Sequence, residues 1–535
     1  MTHSAPLSFS RRLAVLRALT VGLWLLAWLI PTPLSAQATG TLAPIVAPAA
    51  TQAVTTELRD RNADGKADVA VETPRLRLLI SGATGNLEVF YLRGINFEEN
   101  LYPPVIAGHG YSFASLTMRP FALQINGSDE PDGTWTFDTP TVGTQSIVVT
   151  AKRSEPVSGL ELTKTYRFTL NGYQFGYDVT VTNSTGKDMI VGTDALGGLN
   201  LMYGPGLFID PFNPSSYLGL HDGSHIQYDN VAKFREAAAK ERFQGVGLKT
   251  TYFCMLMDAG IPVNLIAQGF EVKPTDTKQT RNRTFEGQVV GVSIPPFTLK
   301  AGESRHVPFT LYYGPKLLDE LALINRGNVT DYGFLSTMLL RILQFFHGLF
   351  PNFGLAIIFL TLAVRAMLHP LTVKQTKSMA QMQKIQPMLQ DLKDRYRDNP
   401  QKFNEEVLKL YQKHNVNPLG GCLPLLLQLP ILIALYNTIN IAVELRKVPF
   451  LWLTDLSKAD PYIILPLAIT ALMYAQQGQT TDPQQQQMMA FMPMFMFIIT
   501  WTLPSGLLLY WFTSSVIGVV QQLQANKMVA KIKEE

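Results

Sequence analysis

The sequence predicts a multi-domain chain: an exported antiparallel β-sandwich followed by a polytopic α-helical membrane core. Its 535 residues suffice for two or three ordinary domains. Hydrophobic residues make up 47% and charged residues 16%, an average that hides two compositions. Between about Ala38 and Pro315, polar and apolar residues alternate around glycine-rich turns. From Asp331 onward, apolar runs crowd together, separated by one highly charged stretch.

Residues 1–38 carry the export signal. Arg11, Arg12 and Arg17 precede an apolar run from Ala18 to Ile30, then Pro31 and the small-residue stretch Ala36-Gln37-Ala38. This is the order of a cleavable signal peptide. Leu13 to Leu34 is also just long enough to span if tilted, which would make it an uncleaved anchor. Both readings export the β-rich region after it, and cleavage is the favoured one. Pro, Ala and Thr dominate residues 39–56, a linker composition.

The β-sandwich is expected over 57–315. Leu160, Leu162, Lys164, Tyr166, Phe168 and Leu170 alternate with polar residues, and after Asn171-Gly172 the pattern resumes at Tyr173, Phe175, Tyr177, Val179 and Val181. Asn-Gly suits a type I′ turn, so a β-hairpin is predicted. Further strands are expected at Arg75–Ile80, Phe121–Ile125, Ser146–Ala151, Lys249–Met257 and His306–Tyr313. Asp60, Asn62, Asp64, Lys66 and Asp68, with Gly65, fit the oxygen spacing of a calcium loop. The bidentate Glu expected at the twelfth position is replaced by Val71, and a solvated turn is the favoured reading. Cys254 and Cys422 offer no disulfide framework and no zinc cluster; both read as small buried hydrophobes.

Residues 316–351 connect to the membrane. Thr337, Arg341, Gln344 and His347 form one polar stripe between Asp331 and Phe350, which suits an amphipathic helix lying in the membrane interface. The core occupies 352–525. Phe353 to Val364 is too short to span, so a crossing element must carry Arg365 inside the membrane. An intramembrane charge costs at least ~2.5 kcal/mol and marks a wet cavity or functional site unless it snorkels; the residues alone leave both open. The stretch 372–417 carries nine Lys and Arg, the mark of a cytoplasmic segment. It reads as a helical hairpin, with Pro387 bending its first helix or ending its regular part and Asn399-Pro400 starting its second. Met379, Met382 and Met388 recur on the first helix. Packing between the two helices is their favoured use, although methionine also suits a surface that meets varied apolar segments. Apolar runs at Leu419–Val443, Tyr462–Tyr474, Met488–Leu503 and Leu507–Val520 complete five core spans. They place the short 526–535 tail in the cytoplasm. The net charge of +4 argues against a nucleic-acid binder. No P-loop or other cofactor pattern is present.

The run Asn417-Pro-Leu-Gly-Gly-Cys-Leu-Pro-Leu-Leu-Leu-Gln-Leu-Pro430 resembles the YidC membrane-insertase family. Ala434-Leu435-Tyr436, Asp460-Pro461, Ile464-Leu465-Pro466, Phe491-Met492-Pro493 and Pro504-Ser-Gly-Leu-Leu-Leu-Tyr-Trp511 continue the likeness in order, as do Asp331-Tyr332-Gly333, Val364-Arg365 and Pro370-Leu371. The β domain ahead of this core is similar to the Gram-negative form. The resemblance implies a bacterial inner-membrane insertase and chaperone, with the β domain in the periplasm and the hairpin and C-terminus in the cytoplasm. It implies a polar groove open to cytoplasm and lipid, with Arg365 as its charge and Thr361, Gln428, Gln476, Tyr510 and Trp511 in its lining. Polar packing between helices is the plain alternative for all but Arg365. Nascent membrane proteins, the bilayer and Sec translocon components are the implied partners; the short tail after Gln524 weakens a ribosome contact. Two rivals stand beside this reading. An ion-coupled transporter would use Arg365, but the spans lack Asp or Glu for a proton relay. An intramembrane enzyme would need Ser505 and His369 together, and the expected topology puts them near opposite faces.

Overall fold

The computed structural model describes residues 54–60, 65–94, 97–100, 121–130, 132–204, 215–272, 285–397, 399–414, 423–476 and 483–534. Its two compact units divide between Asp331 and Tyr332, with the short segment Ile441–Glu444 grouped with the first. The first is β-rich. A five-stranded antiparallel sheet holds Thr55–Arg59, Asp68–Glu72, Leu76–Ile80, Leu87–Gly94 and Phe97–Asn100. The larger assembly contains fourteen hydrogen-bonded strands. Its spine is the 20-residue strand Phe253–Val272. Residues Phe253 to Asp258 of that strand pair with Ser304–Pro315, and Asn264 to Val272 pair with Phe285–Ile294. Gly260, at φ +65°, lies between the two pairings and lets one strand serve both halves. Tyr203 and Tyr313, one from each half, meet through their hydroxyls at 3.1 Å, and Phe121 packs against both rings.

The expected hairpin is present as Leu160–Thr169 and Gln174–Asn183, with Tyr166 opposite Tyr177 and Phe168 opposite Phe175. Alternate residues are buried along both strands, as a period of two requires. Its turn differs from the expectation. Neither Asn171 nor Gly172 takes a positive φ, so the turn is not type I′. Four residues separate Thr169 from Gln174, and the Thr169 hydroxyl closes the loop by donating to the Gln174 carbonyl at 2.7 Å. A loop of that length turns without left-handed residues. The run at Lys249–Met257 is also two strands: Phe243–Lys249 ends there, and a tight turn closed by the Thr250 amide and the Phe253 carbonyl starts the next. The remaining expected strands appear as Leu76–Ile80, Ala122–Ile125, Ser146–Arg153 and Ser304–Pro315. Within this unit the sequence reading missed helix α1, Val231–Lys240, which Asn230 caps by accepting from the Lys233 amide. A short helix α2, Leu318–Leu323, comes after the last strand. Burial pushes the Cys254 thiol up to about 12, as expected of an inert hydrophobe.

Lys164 alternates onto the apolar face and is fully buried. Its ammonium donates to Glu130 Oε2 at 2.7 Å, Asn86 Oδ1 at 2.8 Å and the Thr84 carbonyl at 3.1 Å, and lies 4.3 Å from the Trp135 ring centroid. Glu130 also takes Arg153, and all three charged side chains are at most 5% exposed. This cluster fastens the 81–86 loop of the five-stranded sheet to the large assembly.

The second unit is helical. Helix α3 spans Phe334–Leu349, α4 Phe353–Arg395, α5 Pro400–Lys413, α6 Leu423–Ile441, α7 Ile464–Gln476, α8 Pro483–Trp501 and α9 Ser505–Glu534. On α3, Ser336, Leu339, Leu340 and Leu343 are buried, while Phe334, Met338, Phe345 and Leu349 form an exposed apolar face beside the polar stripe. Ser336 Oγ donates to the Ala434 carbonyl at 3.1 Å, tying α3 to α6. Helix α4 runs for 43 residues with Pro370 and Pro387 inside it, so Pro387 does not end the first helix of the hairpin. Asn399 caps α5 by accepting from the Lys402 amide, with Pro400 in the first turn. Among the described residues, Phe353–Val373 is long and apolar enough to cross a membrane, and the other apolar helices are shorter.

Replacing Glu130 with Ala would leave Lys164 buried without a carboxylate. Loss of one partner from a buried ion pair costs about 3 kcal/mol or more. The expected outcome in pulse proteolysis of the purified full chain is a markedly lower denaturant midpoint for the β-rich unit; an unchanged midpoint would contradict the cluster's structural role.

Candidate functional site

Two polar stripes meet where α4 packs on α9. On α4, Thr361, Arg365 and His369 recur every fourth residue and so fall on one face. Tyr510, Ser514, Gly518 and Gln521, at spacings of four, four and three, share one face of α9. Arg365 Nε donates to Ser514 Oγ at 2.7 Å. One turn deeper, Gln428 of α6 donates through Nε2 to the Tyr510 hydroxyl at 2.6 Å. On the other side, Gln521 Nε2 lies 3.2 Å from His369 Nδ1. A ladder of polar contacts thus links three apolar helices, with Arg365 as its charged rung.

Arg365 is half-buried, and among the described residues no carboxylate pairs with it. Gly518 adjoins the guanidinium: a Cβ there would make ordinary van der Waals contact, 3.8 Å from Nη2 and 4.0 Å from Nη1. Ser514 is almost fully buried and accepts through a neutral oxygen, which leaves the positive charge uncompensated.

The expected lining residues are only partly brought together. Thr361 is fully buried and its hydroxyl donates to the Ile357 carbonyl, one turn back on its own helix, at 2.7 Å. Tyr510 is fully buried and joined to Gln428. Trp511 is half-buried and points about 100° around the helix from Tyr510. Gln476 ends α7, and its side-chain surroundings lie outside the described residues, as do those of Met379 and Met382. Met388 is exposed, and α5 buries none of its residues. Ser514 is absent from the sequence-based expectation. Its spacing of four from Tyr510 is the signal that would have found it.

Of the calcium-loop residues, Asn62 and Asp64 lie outside the described residues. Asp60 Oδ2 accepts from the Gly65 amide at 2.9 Å, and fully buried Asp68 accepts from the Gly82 amide at 2.9 Å. Lys66 Nζ donates to the Gly133 carbonyl at 2.6 Å. Among the described residues no three His, Cys, Asp or Glu side chains converge as a metal group. Cys422 also lies outside them.

The N-terminal end of α9 is sealed by the 444–463 loop. Ser505 is fully buried, its amide donating to the Lys458 carbonyl at 2.6 Å and its hydroxyl to the Asp455 carbonyl at 3.0 Å. The Gly506 amide reaches the Leu456 carbonyl at 2.9 Å. Leu445, Val448, Leu453 and Leu456 of the loop are buried. Asp460 accepts from the Tyr462 and Leu465 amides and from Trp452 Nε1, which caps α7. Gly354, at the start of α4, lets the Phe450 ring approach so closely that a Cβ would collide with it. Ser505 therefore sits at the sealed end and His369 beside Gln521, about 24 Å along α9. No dyad forms.

Residues 345–533 match a family model described as 60Kd inner membrane protein, and residues 68–345 match the YidC periplasmic domain. The membrane protein insertase YidC of Vibrio atlanticus is 33% identical over 434 residues, 79% of each chain. That of Tolumonas auensis is 45% identical over 254 residues, covering 45% of this chain and 46% of its own. Among solved structures, an active YidC insertase with its first transmembrane domain resolved matches 88% of this chain and 94% of its own, at 20% identity and a TM-score of 0.36.

Asp460→Ala would leave the buried Leu465 amide and two partly buried donors without their acceptor, at a cost of about 1–3 kcal/mol for the buried group. The expected outcome is a loosened 444–463 loop, read as at least several-fold faster trypsin cleavage at Arg446, Lys447 or Lys458 in proteoliposomes. Wild-type cleavage rates would show that the carboxylate does not hold the seal.

Proposed function

The chain belongs to the YidC family of membrane protein insertases, and from that membership we propose that it passes hydrophilic client segments across the inner membrane beside Arg365. It is an inner-membrane protein with a periplasmic β-rich domain and a helical C-terminal region. The finer arrangement is our reading: the two halves of the large β assembly as leaves of a sandwich, five spans in the core, and hairpin and C-terminus in the cytoplasm. The single observation that carries the mechanism is Arg365 without a carboxylate, on a polar seam between apolar helices.

The physics is desolvation. A polar chain segment in hydrocarbon loses its hydrogen bonds to water, several kcal/mol for each group left unsatisfied. A polar cleft open to the cytoplasm shortens that barrier, and the sealed loop at the far end keeps water and ions from running through. Arg365 then acts on charge. An acidic residue at the membrane centre costs roughly 2.5–3.5 kcal/mol. Its attraction to a guanidinium at about 4 Å, with an effective dielectric near 20, is about 4 kcal/mol. One such contact offsets one carboxylate and cannot offset a cluster. The client's apolar segment leaves sideways into lipid, driven by roughly 25 cal/mol per Å² removed from water. No nucleotide enters this scheme. In the same reading the exposed apolar face of α3 rests in the interface, and the hairpin carrying Met388 meets clients first, alone or beside the Sec translocon.

Clients that differ only by one acidic residue in the translocated tail provide the test. In liposomes holding the purified chain, Arg365→Ala should slow insertion of the acidic client about tenfold and leave the neutral client within twofold. Equal rates for both clients would overturn the electrostatic mechanism. Insertion that requires an added ion gradient would favour the transporter reading.

A further inference from the structure

The Arg365–Ser514 contact assigns a role to a residue that the mechanism above does not use. A guanidinium offers two bidentate edges, one through Nε and one Nη, the other through the two Nη groups. Ser514 Oγ holds Nε at 2.7 Å. The oxygen is fixed in place because Ser514 is only 2% exposed. Among the described residues, neither Nη group has a hydrogen-bond partner, and Gly518 presents no side chain to them. Arginine side chains have several rotatable bonds, so an untethered guanidinium would sample many directions and lose entropy on meeting a ligand.

We infer that Ser514 is a positioning residue: it tethers the Nε edge of Arg365 so that the Nη1/Nη2 edge faces incoming client carboxylates. The choice of a hydroxyl matters. A carboxylate at this place would pair with the guanidinium and cancel its charge, and an alanine would release it. A hydroxyl orients without neutralising, so the charge stays available to the client. This inference rests on the reading of Arg365 as the client-facing charge. It adds that orientation, beyond charge alone, sets the rate for acidic clients.

The test is a double-mutant cycle on the full chain in liposomes, again with paired clients that differ by one tail carboxylate. Ser514→Ala should slow the acidic client about three- to tenfold and leave the neutral client unchanged, while Ser514→Thr, which keeps the hydroxyl, should stay within twofold of wild type. In an Arg365→Ala background, Ser514→Ala should have no further effect, because the group it positions is gone. Ser514→Asp should mimic Arg365→Ala for the acidic client. Equal slowing of both clients, or the same loss in both backgrounds, would make Ser514 a packing residue and overturn the inference while leaving the role of Arg365 intact. A wild-type rate for Ser514→Ala would also overturn it. If Arg365→Ala itself shows no client charge dependence, the underlying reading fails, and the inference fails with it.

Discussion

A guanidinium on a membrane-crossing helix must find water, a dipole or an anion, and most of this helical unit can be understood from how Arg365 meets that demand. It stands within Phe353–Val373, the described helix that is long and apolar enough to span. A carboxylate partner would neutralise it and leave an inert structural pair. The chain supplies a serine hydroxyl. A charge solvated only in part is costly to keep, of order a few kcal/mol, and in the proposed mechanism an acidic client segment relieves that cost. The rest of the polar ladder, from Gln428–Tyr510 to His369–Gln521, pairs polar groups between apolar helices, while Gln521 Oε1 is buried without a partner among the described residues.

The second requirement is asymmetry. A polar seam open at both ends would leak. The 444–463 loop closes one end with its own backbone: the amides of Ser505 and Gly506 and the Ser505 hydroxyl donate into its carbonyls, and Asp460 gathers three donors. Glycine is required at Gly354, where the Phe450 ring occupies the space of a side chain, and at Gly506 a Cβ would crowd the Leu456 carbonyl at 3.1 Å. A stiff, self-satisfied loop suits a seal, and a mobile one would not.

How far the sequence could be read depended on whether a signal was local. Alternation placed Lys164 on the buried face of its strand. It could not supply Glu130 and Asn86, 34 and 78 residues away, whose oxygens make that burial possible. Asn171-Gly172 announced a hairpin but not its turn, because the loop length, and not the dipeptide, decided the backbone. Pro387 left open whether the helix bends or ends there, and the helix continues through it. Family motifs pointed to Arg365, Gln428 and Tyr510, and two of these three lie in one ladder rung. Ser514 went unread beside Thr513 and Ser515, although its spacing of four from Tyr510 places it on the same face of α9.

The central claim is that position 365 is wet from one side only. Single cysteines at 365 and 514, labelled with a membrane-impermeant maleimide in oriented vesicles, test it most directly. The account predicts modification at 365 from the cytoplasmic side and protection from the periplasmic side, behind the 444–463 loop. A cysteine at 365 that reacts from neither side would show a dry, walled-off position, and the proposed path for polar chain would be contradicted.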